Sequence, residues 1–257
     1  MKKVLALALS LAILAFGVEA KTTKRTSRTT SRTSSAAVTK GATHKYGDYL
    51  TTQEFKLKKG KNEYSVEYPV SGNPQLVNAM RDYIKECLFP KFKGSLATPD
   101  ALLKGAVANV ERDSQEEVEL KVIYSSDYAV TLSGYSDVYW KGAAHGTYAV
   151  LGATFLVTDG TVFDIDMLPS FNAWEEKIKQ GLADFFEVRI RDLSDYLFDI
   201  NDLSYPGTAY LTDKGILLQY QPYEIAAWAM GAPASVIPAT SANISALSAE
   251  GRAFFGK

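Results

Sequence analysis

One histidine in the body of the chain is the first residue whose chemistry could be catalytic. His44 falls in a polar N-terminal stretch, so His145 is the imidazole that could act there as a general base. Three carboxylates follow it in sequence, at Asp159, Asp164 and Asp166. A histidine with a carboxylate can support acid–base hydrolysis, and a pair of carboxylates can cleave a glycosidic bond.

These four residues also have structural explanations. His145 lies in Lys141–Gly146, a turn of small residues in which its ring could hydrogen-bond to the backbone. Asp159 precedes Gly160 in a hairpin turn, while Asp164 and Asp166 close a predicted strand. We therefore expect a structural His145, and we keep peptidoglycan hydrolysis by His145 and a nearby aspartate as the alternative function.

Metal and cofactor motifs are missing from the sequence. It has no Gly-rich phosphate loop, no His-Glu-x-x-His and no paired Cys-x-x-Cys. We therefore expect neither a metal nor a cofactor.

Aromatic residues crowd the C-terminal half of the chain and suit a binding surface, because Tyr and Trp combine an apolar body with a polar tip. Half-buried strands favour the same residues, so part of this set is expected in the core. The residues that we expect to bind a partner are Tyr139, Trp140, His145, Tyr223, Glu224 and Trp228.

Two periodic patterns of apolar residues, one typical of strands and one of helices, predict the elements that position these residues. Alternation in residues 117–124, 128–132, 135–140, 148–157 and 161–165 predicts a strand meander. Helical spacing predicts one helix from Pro74 to before Pro90, with Cys87 on its apolar face, and another from near Asn172. That second helix is expected to bury Trp174, Ile178, Leu182 and Phe185. The sequence thus predicts an α+β fold, an antiparallel or mixed sheet meander with two main amphipathic helices packed on it.

The N-terminus predicts export. Residues 1–20 combine Lys2 and Lys3, an apolar run and a Val-Glu-Ala cleavage box, which is the pattern of a signal peptide. The apolar run is shorter than a membrane span of about 20 residues. We therefore expect a periplasmic or extracellular protein that is not membrane-embedded after cleavage.

Charge is distributed unevenly along the chain. Residues 21–47 form a basic Ser/Thr-rich stretch with seven cations and no carboxylate, which predicts a disordered tether. Because the whole chain has a formal net charge of −1, residues 48–257 carry about −9. An exported acidic domain is expected to attract a basic partner and not a nucleic acid.

Two segments resemble the RsiV-type extracytoplasmic domain family. The first is Gly142–Gly146 with the later Asp159-Gly160, and the second comprises Tyr210–Ile216, Gln221–Ala226, Gly231 and Ile237-Pro238. The resemblance covers roughly residues 135–240 and implies an α+β fold of mixed sheet and helices. Some members of this family are lysozyme-binding outer domains of anti-sigma factors, and others accompany cell-wall-modifying enzymes.

The domain plan is a signal peptide at 1–20, a tether at 21–47 and an α+β domain at 48–257. Within that domain we expect an N-terminal portion at 48–133 and an RsiV-type portion at 134–257. The favoured function is a non-enzymatic envelope binding protein that recognises a basic envelope protein such as a lysozyme-like muramidase, or peptidoglycan. The lack of a second imidazole or a metal set in the expected domain favours binding over catalysis.

Overall fold

A computed structural model describes residues 36–109 and 113–257. The predicted signal peptide, and the predicted tether up to residue 35, lie outside these described residues. All described residues fall in one compact unit. None of the helices in this part of the chain is long and apolar enough to cross a membrane.

Six strands form the larger sheet, in the order in which they occur along the chain. They are β1 (Ala37–Tyr46), β2 (Leu50–Lys59), β3 (Asn62–Gly72), β4 (Ser114–Ser125), β5 (Ala129–Trp140) and β6 (Thr147–Leu156). Neighbours pair antiparallel, except that β3 and β4 are parallel. Two helices, α1 (Pro74–Leu88) and α2 (Asp100–Asn109), make the crossover that a parallel pair needs. The predicted α+β class is confirmed.

One face of this sheet packs on α1 and α2 to form the first core. Asn73 caps α1, since its side chain accepts a hydrogen bond from the Gln75 N–H, and Pro74 suits the first helical position. The face of α1 that the sequence predicts to be apolar is buried. Cys87 packs against this core, and burial raises the pKa of its thiol to about 12, so it is inert at neutral pH.

A smaller antiparallel sheet, β7 (Thr208–Thr212), β8 (Gly215–Gln219) and β9 (Ala234–Pro238), forms the second core with α3 (Phe171–Phe185). Two short helices, α4 (Ser241–Ser245) and α5 (Ala249–Ala253), follow. Trp174, Ile178 and Leu182 are buried as predicted, but Phe185 at the end of α3 is 42% exposed. The prediction for Phe185 is wrong because the helix ends there, beyond the surface that the small sheet covers.

The two sheets meet along β6. The Leu211 N–H donates to Thr154 Oγ1 at 2.7 Å, and the Tyr210 ring lies against Gly152. Gly152 and Thr154 alternate with Ala153 and Phe155, which belong to the first core, so β7 lies on the opposite, outer face of the larger sheet. The part of that outer face around Glu117 and Tyr135 is left open.

Strand β1 differs from the prediction of a tether reaching residue 47. It pairs with β2 through its backbone, and the Tyr46 hydroxyl donates to the buried Glu67 carboxylate at 2.6 Å. Almost all of β1 is exposed, so its sequence has no alternation between apolar and polar residues that could have revealed a strand.

Three other features also differ from the predictions. Strand β5 runs without a break across residues 133 and 134, where the two portions of the domain were expected to divide. Residues 161–165 contribute only a single bridge, from Val162 to Phe155, because the chain turns into a short 3₁₀ helix at Ile165. Helix α2 was not predicted. Its Gly105 lies against the Phe89 ring, a close packing that sequence periodicity does not show.

Candidate functional site

Four aromatic side chains come together at the start of β6, and we call them the aromatic cluster: His145, Tyr148, Tyr223 and Trp228. The Trp228 ring centroid lies 4.9 Å from that of His145 at an interplanar angle of 26°, and 5.6 Å from that of Tyr223 at 31°. Tyr148 meets Trp228 edge-on at 5.1 Å. Tyr223 is 56% exposed and His145 is also exposed, so these two rings face solvent while Trp228 is half-buried between its neighbours.

The aromatic loop, residues 221–231, joins β8 to β9 and carries Tyr223 and Trp228. Its first residue fixes it to the edge of β6: the Gln221 amide donates to the Val150 carbonyl at 2.9 Å and accepts from the Val150 N–H at 2.9 Å. The Gln221 side-chain amide therefore makes the two hydrogen bonds to β6 that the backbone of a neighbouring strand would otherwise make. Glu224 turns back to accept from the Gln221 N–H at 2.6 Å, so this predicted binding residue shapes the loop.

Tyr223 adopts a left-handed backbone conformation, with φ of 68°. L-residues other than Asn and Asp seldom adopt it, and each such residue costs on the order of 1–3 kcal/mol. The Tyr223 ring is more than half exposed in this conformation. Burial of the ring within the protein therefore does not offset the free-energy cost of the strained backbone. Strain of this kind concentrates at functional sites.

His145 lies in the hairpin between β5 and β6. Its Nδ1 is 2.7 Å from the Gly146 carbonyl, which can only accept, so Nδ1 carries a proton and Nε2 is left as the acceptor in the neutral ring. The ring therefore has the backbone contact that the structural interpretation predicts, and it also stacks on Trp228.

The three aspartates that could have acted with His145 lie at the other end of β6. The ten residues of β6 span roughly 30 Å, and His145 precedes the strand while the aspartates follow it. Asp159 accepts from the Thr161 N–H, as expected for a turn residue, while Asp164 caps the short 3₁₀ helix by accepting from the Asp166 N–H. The structure does not bring His145 together with Asp159, Asp164 or Asp166.

A row of carboxylates leads across the outer sheet face to the aromatic cluster. Asp137 is paired with Tyr148 on β6 and with Glu117 on β4, and Glu117 is paired with Glu63 on β3. Residues opposite each other in register share a face, so Glu63, Glu117 and Asp137 form one row, which we call the acidic row. Like charges placed directly opposite each other destabilise a sheet.

Two members of the acidic row have partners within the protein. Glu63 pairs with Lys58, and Glu117 accepts from the Tyr135 hydroxyl at 2.6 Å, a hydrogen bond that raises the pKa of Tyr135 to about 12. Asp137, the member next to the aromatic cluster, forms no ion pair or side-chain hydrogen bond among residues 36–109 and 113–257. An open groove of about 430 Å³ crosses this face beside the row.

Tyr139 and Trp140 end β5 and project to opposite faces of the sheet. Tyr139 shares the face of Asp137, and its hydroxyl donates to the Ala143 carbonyl at 3.1 Å. Trp140 lies on the other face, away from the acidic row. Both are more than 40% exposed, but neither joins the aromatic cluster.

Three of the six predicted binding residues thus come together, namely His145, Tyr223 and Trp228. The sequence analysis assigned no binding role to Tyr148, Asp137 or Gln221. The alternation along β5 and β6 could have placed Asp137 and Tyr148 on one face, but the contact of Gln221 with β6 is visible only in three dimensions. No group of side chains in the described ranges is arranged to hold a metal ion.

Comparison with known families and structures agrees with this α+β fold. Residues 170–240 match the model of a family described as protein of unknown function (DUF3298). The match includes α3, the small sheet and the aromatic loop, while His145 and the acidic row lie before it. The predicted RsiV-type assignment stays a prediction.

Two solved structures are similar over most of the chain. One is a member of the DUF3298 family from Bacteroides fragilis NCTC 9343, with a TM-score of 0.60 and 15% identity over 88% of this chain and 99% of that chain. The other is a DUF3298 family protein from Pseudomonas aeruginosa PAO1, with a TM-score of 0.53 and 13% identity over 84% and 95%. Likeness at these identities shows a shared fold. No curated protein matches the chain.

Proposed function

We propose that this protein is a non-enzymatic envelope binding protein, and that the aromatic cluster and acidic row together recognise a basic protein. The observation that supports this most directly is their juxtaposition: the strained, exposed Tyr223 belongs to a cluster that adjoins Asp137, a carboxylate with no ion pair in the part of the chain that the structure describes. The lysozyme-like muramidase that the RsiV-type resemblance implies is a partner of this kind.

The two features contribute differently to binding. Carboxylates along the acidic row attract a cationic surface at long range and speed its encounter, an effect that salt screens. Aromatic side chains act at short range, because they bury a large area at low entropic cost and accept cations on their faces. A lysine or arginine of the partner near Asp137 would also relieve the repulsion between Asp137 and Glu117.

Peptidoglycan is the other ligand to consider, since an exposed tyrosine ring can also stack on a sugar. The acidic row repels an anionic polymer and favours the basic protein. Hydrolysis has less support, because most of the length of β6 lies between His145 and the aspartates that would assist it.

The test compares lysozyme and soluble peptidoglycan fragments as ligands of the purified protein by biolayer interferometry. Tyr223→Ala should weaken lysozyme binding about tenfold or more, chiefly through faster dissociation. Asp137→Asn should slow association, with a larger effect at low salt. The matched control is Tyr128→Ala, an aromatic side chain that is 48% exposed and immediately precedes β5, at the end of that strand away from Asp137.

Unchanged lysozyme binding by the Tyr128→Ala variant, together with losses in the other two, would support the proposal. Binding of peptidoglycan fragments without lysozyme binding would replace it with the glycan function. Failure of the unmodified protein to bind lysozyme, or equal losses in all three variants, would overturn it.

A further inference from the structure

A second exposed aromatic side chain lies close to the aromatic loop. Phe198 is 62% exposed, more than any other large hydrophobic residue in the described part of the chain. Its neighbour Leu197 is buried in the second core, so the backbone at this point is anchored. The Phe198 N–H donates to the Ile225 carbonyl at 2.9 Å, which joins Phe198 to the loop that carries Tyr223.

This hydrogen bond limits the distance between the two exposed rings. Cα atoms linked by a backbone hydrogen bond are about 6 Å apart, and the two residues from Ile225 to Tyr223 span at most about 7 Å. The Cα atoms of Phe198 and Tyr223 therefore lie within about 13 Å of each other. A standard interface buries about 800 Å² on each partner, so one protein can cover both rings.

Carboxylates surround Phe198 in sequence. Asp195, Asp199 and Asp202 form no ion pair among the residues that the structure describes, and Asp199 accepts hydrogen bonds only from Asn201. The two cations of this segment, Arg189 and Arg191, both pair with Asp192. An apolar ring in this acidic setting is complementary to an apolar pocket on a basic protein.

We infer that Phe198 is a second anchor of the same docking surface and that its occupant is a basic protein presenting an apolar pocket to the phenyl ring. This inference rests on the proposed function. A phenyl ring cannot hydrogen-bond to hydroxyl groups as tyrosine does, and the nearby carboxylates disfavour an anionic glycan. They also disfavour a second copy of this chain, because both surfaces would be acidic.

The test measures lysozyme binding to the Phe198→Ala and Phe198→Leu variants of the full chain, with Val107→Ala, an exposed apolar residue of α2, as the control. Phe198→Ala should raise the dissociation rate about tenfold and leave the melting temperature unchanged. Phe198→Leu should restore part of the loss, because leucine keeps much of the apolar volume. An acidic protein of similar size should not bind.

The outcomes separate this inference from the proposed function. If Tyr223→Ala weakens lysozyme binding and Phe198→Ala does not, the second anchor is wrong while the proposed function stands. If neither variant changes lysozyme binding, both fail. A dimer in sedimentation that Phe198→Ala dissociates, or peptidoglycan binding that requires Phe198, would assign this surface to another occupant and overturn the inference.

Discussion

The two edges of the larger sheet, β1 and β6, contrast with each other. Strand β1 is exposed along most of its length, and it carries charged residues and a bulge between Lys40 and Thr43, both of which discourage pairing with another chain. The edge of strand β6 is covered by Gln221 at Val150 and, further along, by residues 161–163, whose backbone bonds to Thr154 and Leu156. The contact between Gln221 and the edge of β6 also places the aromatic loop beside His145 and Tyr148. The same contact therefore protects the sheet edge and assembles the aromatic cluster.

A glutamine amide bonds to the backbone near each edge, which makes the comparison direct. Gln53 donates to the carbonyls of Gly41 and Ala42 on β1, in an exposed setting. Gln221 bonds to both backbone groups of Val150 in a half-buried setting. Water can replace the bonds of Gln53 more easily, so similar hydrogen bonds should contribute differently to stability.

The largest loss of stability is expected from a substitution at Gly152 of β6. A Cβ at Gly152 would lie 2.2 Å from the Tyr210 ring, which is 4% exposed and has no room to move. Gly152→Ala should lower the free energy of unfolding by about 2–3 kcal/mol, or roughly 4–10 °C in melting temperature. Thermal unfolding followed by circular dichroism measures this.

Gly41→Ala on β1 is the matched control. The added Cβ would lie 2.5 Å from Glu54 Oε2 and 2.9 Å from Glu54 Cβ, so the carboxylate must turn away and the edge strand must shift slightly. Because β1 is exposed along most of its length and can shift, the loss of stability should stay below about 1 kcal/mol. Equal losses at the two glycines would contradict the view that β6 is packed against the small sheet and β1 is not.

A smaller loss of stability is expected when Gln221 or Gln53 is replaced by alanine. Gln221→Ala leaves the N–H and carbonyl of Val150 without their partner and should cost about 1–2 kcal/mol. Gln53→Ala should cost about 0.5 kcal/mol or less. Urea unfolding of both variants provides the comparison.

Gln221→Ala should also weaken lysozyme binding, because it frees the loop that presents Tyr223. A Gln221→Ala protein with unchanged stability and unchanged binding would show that the hydrogen bonds between Gln221 and Val150 do not position the aromatic loop.

Local signals in the sequence predict part of the fold. Pro74 after Asn73 marks the start of α1, and alternation marks β4 and most of β5. Strand β1 escaped prediction because almost every residue in it is exposed, and the strand depends on its pairing with β2.

The site was predicted in residue type more than in arrangement. His145, Tyr223 and Trp228 were expected to bind because of their chemistry. These three side chains lie together because Gln221 contacts Val150, which is 71 residues away in the sequence. No local sequence pattern encodes that contact. The position of Asp137 between Glu117 and Tyr148 likewise depends on the register of β4, β5 and β6.

Hydrogen exchange of the protein with and without lysozyme tests the central claim most directly, because it reports where a partner protects backbone amides. The account predicts slower exchange at residues 143–150 and 221–230 when lysozyme is bound, with residues 37–46 of β1 unchanged. Protection confined to β1, or no protection anywhere at saturating lysozyme, would contradict the claim that the covered edge of the sheet carries the binding site.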